Sequence, residues 1–538
     1  MQGFKRKKAV FGAVTCGFTF LVGLEGAIAQ QTNSQNPALG ELGIQAEILH
    51  SEPYNLLGRK VAIGQVEIGR PGKFGLDKRA AWRPQLGSYR VFFLNEKATP
   101  DESVDDHAGM VASIMVSNDK RQLGVAPEAR LYASAIGSTD DSAQPEECLT
   151  TQHIALQNSQ DVRVINFSFG ESLERDPRSN PQLDGNALFT QCLDWTARVY
   201  DVLHIVAGNQ GDGGIPIPTD HFNGITTAYT TRFKGDVFNK IDFANLSGLP
   251  VGIGRSLVRE EINTGSRRAI SLSAPGSQLN LITTFNKIKR VSGTSFAAPH
   301  VTGTVALLQE YGDRQIKAQA ENWSLAARRH EVMKAVLLNS AEKVADIGDG
   351  KLLGMSRTIL REDNTNWLDS DAYFNADIPL DIEMGTGQLN ALRAYQQFAA
   401  GQWDATNPVA NLGWNYTKVA HTKHHDYLFD APLVAESFVS ATLSWDRLVE
   451  LGDRNGNKKY DVGEFFTDKG LNNLDIYLLP AQTDNLAQAI CQSTSNVDSV
   501  EHLFCPVPIT GQYKLRVVYQ DRLNQDTQNY ALAWWTAK

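Results

Sequence analysis

A change of texture near residue 400 restricts the fold of this chain more than any other feature. From residue 58 onward, β-branched apolar runs at 61–68, 131–136, 162–169 and 202–206 alternate with helical periodicity at 108–116, 295–309 and 332–341. Strands separated by helices predict an α/β domain, a parallel sheet with helices on both faces. After Ala400, short alternating segments at 439–445, 474–479, 513–518 and 530–535 are divided by Gly, Asn and Asp turns. That pattern predicts an all-β, jelly-roll-like sandwich. The boundary falls at 401–407, giving domains at 58–400 and 401–538. With 538 residues, 42% of them hydrophobic, each domain can bury a core.

The first 29 residues have a different character. Lys5, Arg6, Lys7 and Lys8 precede an uncharged apolar run at 9–24, and Ala27-Ile28-Ala29 supplies a small-x-small cleavage pattern. This predicts a signal peptide and a secreted or periplasmic protein with no membrane association after cleavage. Residues 30–57 open with a Gln/Asn/Ser-rich stretch and read as a flexible leader. The formal charge is −9. Loss of four positive side chains and Glu25 with the signal makes it −12, which argues against nucleic acid as a partner. Four cysteines remain: Cys148, Cys192, Cys491 and Cys505. An even number in an exported chain predicts two disulfides. Three pairings are open, and Cys148–Cys192 with Cys491–Cys505 is the expected one because each pair lies within one domain.

Chemistry concentrates in Gly293-Thr-Ser-Phe-Ala-Ala-Pro-His-Val-Thr-Gly303. Ser295 opens an apolar helix, so its hydroxyl and its own N–H stand at the positive end of the helix dipole, where an oxyanion is favoured. Ala297, Ala298 and Gly303 are small enough for the helix to pack closely. A serine nucleophile needs a base, and Asp105-Asp106-His107-Ala108-Gly109 places one His at the start of another helix. The run 202–206 ends at Ala-Gly-Asn209, an amide at the carboxyl edge of a sheet that can donate to an oxyanion.

Together these segments resemble the subtilisin-like serine peptidases over roughly residues 58–396. The stretch 293–303 is close to the family signature around its nucleophile. Val164-Ile-Asn-Phe-Ser-Phe-Gly170, Ser273-Ala-Pro-Gly276 and Gly385-Thr-Gly-Gln-Leu-Asn-Ala391 are similar to further family segments, and acid, His, Asn and Ser follow the family's order. The resemblance implies that Ser295 is the nucleophile, His107 the general base and Asn209 part of the oxyanion hole. It implies that Ser168, Phe169 and Gly170 pair with a polypeptide substrate and line its first specificity pocket. The family's orienting Asp is absent. Glu67, in Val66-Glu67-Ile-Gly69, stands in its place, with Asp77 as the substitute acid. A second reading is a catalytically impaired peptide-binding protein on the same scaffold.

Finally, Asp453, Asn455, Asn457, Asp461 and Glu464 fall at positions 1, 3, 5, 9 and 12 of an EF-hand-type loop, so a structural calcium ion is the one cofactor expected. Position 6 is Lys458 rather than Gly. Catalysis by the residues above needs no cofactor.

Overall fold

Near-continuous apolar runs build strands covered on both faces. In the computed structural model, which describes residues 36–78, 86, 88–137, 143–208, 216–235, 237–242 and 267–537, the runs form the middle of one large sheet. Its strands are β1 (Ala62–Glu67), β2 (Ser88–Phe93), β3 (Arg130–Ala135), β4 (Val162–Phe167), β5 (Leu203–Ala207), β6 (Ile225–Arg232), β7 (Phe238–Ile241) and β8 (Leu272–Pro275). The order is β7-β6-β5-β4-β1-β3-β2, with β8 beside β6 and the short strand Glu96–Lys97 beyond β2. Strands β2 to β6 pair in parallel around β1, and β7 is antiparallel to β6. Every residue of β1, β4 and β5 is buried. Chain order reverses beside β1, which leaves a crevice at the carboxyl ends of β1 and β4.

The main helices are α1 (Ala46–His50), α2 (Asp106–Val116), α3 (Gln144–Ala155), α4 (Leu188–Tyr200), α5 (Thr294–Ala318), α6 (His330–Asn339) and α7 (Ala391–Ala399). Helix α5 lies against β4, β5 and β6 and crosses α2. Its Val301, Val305, Leu307 and Leu308 are fully buried, each worth about 1.5–3 kcal/mol of transfer free energy. Close approach depends on Gly303, because a Cβ there would stand 2.5 Å from the Cβ of Val125. The helix is longer than its predicted span of 295–309.

Residues 36–57 do not behave as a flexible leader. Ala38, Leu39, Ile44, Leu49 and Leu56 are fully buried. The Ile44 carbonyl accepts from Ala391 N at 2.7 Å, and the Glu310 carboxylate accepts from Leu57 N and Gly58 N at 2.7 Å each. The polar stretch that suggested flexibility is followed by enough apolar side chains to be drawn into the core. The expected signal peptide, 1–29, lies outside the described residues.

Two strands, β9 (Leu279–Ile282) and β10 (Ile288–Val291), form a hairpin just before α5. The C-terminal region holds β11 (Leu412–Ala420), β12 (His424–Leu428), β13 (Phe438–Ser444), β14 (Asn473–Pro480), β15 (Cys491–Ser493), β16 (Val500–Pro506), β17 (Tyr513–Asp521) and β18 (Thr527–Thr536). They make two four-stranded antiparallel sheets, β11-β18-β13-β16 and β12-β17-β14-β15. Tyr427, Trp445, Ile476, Leu515 and Trp534 fill the space between them. Trp414, Val500, Ala531 and Ala533 instead join the apolar cluster around α5. Disulfides link Cys148 of α3 to Cys192 of α4 and Cys491 of β15 to Cys505 of β16.

Candidate active site

Three chain segments meet at the carboxyl edge of the sheet. Glu67 is the last residue of β1, and its side chain is 2% exposed. One carboxylate oxygen accepts from Ile68 N at 3.1 Å. The other lies 3.1 Å from Nδ1 of His107, off the axis of a well-aligned hydrogen bond. Gly69 is required two residues further on, since a Cβ there would sit 2.2 Å from the Cβ of Asp105.

His107 is held by the start of its helix. Asp105 is the N-cap of α2, in an extended conformation, and its carboxylate accepts from His107 N and, at 3.3 Å, from Ala108 N. The imidazole side chain is 38% exposed and packs beside the ring of Phe296, with centroids 5.4 Å apart. Burial pulls its pKa down, but the carboxylates of Glu67 and Asp105 outweigh burial and raise it above its ordinary value, against a smaller opposing effect of Lys289.

Ser295 is the second residue of α5, immediately before Phe296, and is 7% exposed. Its hydroxyl donates to the Ser168 carbonyl at 3.2 Å, and the Ser168 hydroxyl donates to the Ser295 carbonyl at 2.9 Å. Behind them Asn166 Nδ2 donates to Ser168 Oγ at 2.9 Å, and Thr302 Oγ1 donates to Asn166 Oδ1 at 3.2 Å. This chain of side chains locks the end of β4 to the start of α5. Thr294 Oγ1 donates to the Gly208 carbonyl at 2.5 Å, tying the end of β5 to the residue before Ser295. Asn209 itself lies outside the described residues.

Sequence reasoning did not single out Asn166, Thr294 or Thr302. The available signal was a buried-type run, 162–169, interrupted by an amide. The Phe169 ring stacks on Phe189, with centroids 6.0 Å apart, within the apolar cluster on that side of the sheet. Gly170 is buried beside it. The Asp77 carboxylate is engaged elsewhere. It takes both guanidinium nitrogens of Arg70 at 2.7 Å and also accepts from Lys73 N at 2.6 Å and Asp101 N at 3.0 Å. Fully committed to that buried pair, it is removed as an alternative acid.

The loop 453–464 is closed on itself. Asp453 accepts from Gly456 N and Lys458 N at 2.7 and 2.8 Å, while Asn455 and Asn457 both donate to Asp461 Oδ2 at 2.7 Å. Glu464 accepts from Arg454 N at 2.7 Å and Asp461 N at 3.0 Å. Lys458 adopts a φ of 61°, the left-handed turn that a Gly usually provides at position 6. Among the described residues, a metal-ligand cluster with atoms within 4.8 Å occurs at Asp201, His330 and Glu331 and not among Asp453, Asp461 and Glu464.

Comparison with known proteins bears on the first of these sites. A family model, peptidase S8 (Subtilase family), matches residues 85–356, about half the chain. The match begins after Glu67. The major intracellular serine protease of Bacillus subtilis (strain 168) is 22% identical over 264 residues, 48% of this chain and 72% of that protein. Thermitase of Thermoactinomyces vulgaris is 22% identical over 258 residues, 48% of this chain and 74% of its own length. Among solved structures, the prenylagaramide maturation protease PagA aligns over 66% of this chain and 99% of its own, at 19% identity and a TM-score of 0.41.

Proposed function

The chain belongs to the subtilase family of serine-type endopeptidases, and on that premise we propose that Ser295, His107 and Glu67 are its nucleophile, general base and orienting carboxylate. In the first step the Ser295 hydroxyl leaves the Ser168 carbonyl, gives its proton to Nε2 of His107 and attacks a peptide carbonyl. Glu67 stabilises the resulting imidazolium through Nδ1. The oxyanion forms at the N-terminus of α5, where the Ser295 N–H and the Asn209 amide donate to it. Collapse expels the amine, which takes the proton from His107. A water molecule, deprotonated by the same imidazole, then hydrolyses the acyl-enzyme. The backbone from Ser168 to Gly170 pairs with the acyl half of the substrate.

The approach of Glu67 to His107 at 3.1 Å carries this reading. Glu is one methylene longer than the family's Asp, yet from the end of β1 it still reaches the imidazole. Labelling by an active-site serine reagent, lost in Ser295→Ala, tests it. Absence of labelling in the parent protein would favour the impaired peptide binder instead.

We further propose export with removal of residues 1–29, supported by the two disulfides, which persist in oxidising compartments. N-terminal sequencing of protein recovered outside the cytosol should begin at Gln30. The loop 453–464 is proposed as a calcium loop, supported by its ligand spacing and the turn at Lys458. Its carboxylates would have to close around the ion.

A further inference from the structure

We propose that the β9–β10 hairpin is a specificity surface for acidic side chains on the leaving-group side of the scissile bond, with Lys287 and Lys289 as its specificity-determining residues. This rests on the peptidase reading above.

The hairpin stands on the side of the site where the amine departs. The acyl half of a substrate lies along Ser168–Gly170, so the leaving half passes Ser295 towards His107, which must protonate its amine. The hairpin turn is fastened to the helix that carries His107. Thr284 donates through Oγ1 and N to Asp106 Oδ1 at 2.6 and 3.0 Å. Arg121, just beyond the end of that helix, donates to Asn286 Oδ1 at 2.8 Å. The return strand then runs directly into Gly293 and Ser295.

Register decides which side chains look towards the site. Lys289 pairs opposite Leu281 and Val291 opposite Leu279. Alternation along an extended strand therefore puts Lys289 on the same face as Val291, and Lys287, two residues earlier, continues that row. The Lys289 ammonium is close enough to His107 to oppose its protonation. Lys287, Lys289 and Arg290 are all exposed. Among the described residues, none of the three has a carboxylate within 4.0 Å. The nearby acids are occupied, Asp119 by Arg121 at 2.7 Å and Asp106 by Thr284. A positive row without counter-charges, on a chain of net charge −9, faces the path of the departing peptide. Phe285, 47% exposed, adds an apolar side chain at the turn.

The test uses the full chain and internally quenched peptides that share one acyl half and carry Glu, Gln or Lys in the residues after the cut, with the cut located by mass spectrometry. The parent protein should show a kcat/KM for the Glu peptide about fivefold above that for the Lys peptide at low salt, a preference that collapses at about 0.5 M salt. The double variant Lys287→Glu/Lys289→Glu should invert the ratio, whereas Lys418→Glu, on the sandwich, should leave it as in the parent. Equal rates for all three peptides, a preference untouched by salt, or a ratio that survives the double variant would each overturn the proposal. The Gln peptide separates the two levels. If it is hydrolysed by the parent and not by Ser295→Ala, the peptidase reading stands whatever the charge preference. If the parent hydrolyses none of the three peptides, that reading falls and the proposal falls with it.

Discussion

Asp194 of α4 and Arg447, which follows β13, form a buried ion pair that joins the α/β part to the sandwich. Asp194 Oδ2 accepts from Arg447 Nη2 at 2.6 Å and from Nε at 3.0 Å, with side-chain exposures of 0% and 2%. Arg447 also donates to the Gly185 carbonyl at 2.7 Å, and Asp194 Oδ1 accepts from Asn223 N at 2.8 Å. Truncating one partner strands the other charge away from water. Asp194→Ala or Arg447→Ala should each lower the unfolding free energy by about 3–5 kcal/mol. The double variant should cost much less than the sum of the two in urea denaturation. Strict additivity would mean that the pair does not act as a unit.

His107 sets the acidic limb of the pH–rate profile. A general base works when neutral, and the Glu67 and Asp105 carboxylates hold this imidazole protonated above its ordinary pKa of 6.5. The rate should therefore climb with pH through a midpoint above 6.5. Glu67→Gln should move that midpoint down and reduce kcat by up to about 10⁴. A profile identical in the two proteins would remove Glu67 from the mechanism.

His330 predicts a loss of stability towards alkaline pH. Burial alone would keep it neutral, but Asp446 at 3.1 Å, Glu331 at 3.2 Å and Asp201 at 2.8 Å push its pKa to about 10. The folded protein keeps a proton that the unfolded chain sheds near 6.5. The stabilisation is complete below pH 6.5 and declines as pH rises towards 10, by about 1.4 kcal/mol per unit. Lys334, lowered by burial to about 8, acts in the opposite direction above that pH. Buried Lys343, also lowered, opposes the trend, while Glu147 and Glu501, raised by burial, add to it. The His330 contribution is therefore the difference between parent and His330→Gln, with denaturation midpoints between pH 6.5 and 8 falling more steeply in the parent.

Calcium should raise the thermal midpoint if 453–464 binds it. A concentration a hundredfold above Kd gives about 2.7 kcal/mol, and Glu464→Gln should abolish the gain. Equal midpoints in calcium and in chelator would leave the loop as a self-satisfied turn.

What could be read in the sequence follows from how each segment is stabilised. Strands β1, β4 and β5 were legible because burial on both faces demands near-continuous apolar residues. Strand β6 was not, because its core is rich in threonine. Two of its hydroxyls are satisfied inside, Thr226 Oγ1 donating to the Thr219 carbonyl at 3.0 Å and Thr230 Oγ1 to Gln388 at 2.7 Å, so a buried strand looks polar. Ser295 and His107 stood out through their helix starts and the motif around them. Choosing between Glu67 and Asp77 needed distances, because only the fold shows that Arg70 has already claimed Asp77. The hairpin carries no pattern that separates it from a surface loop until its turn is seen fastened to α2.

Tyr460, inside the acidic loop, is clasped to Gln152 of α3 by two bonds, its N–H donating to Oε1 at 2.6 Å and its carbonyl accepting from Nε2 at 3.0 Å. Its ring belongs to the apolar cluster beneath α3 and α4. The last quarter of the chain is therefore a wall of the catalytic building rather than an annex. A gene trimmed back to the hydrolytic portion would leave that interior open to weather, and recombination could exchange the tail only for one that rebuilds the same masonry.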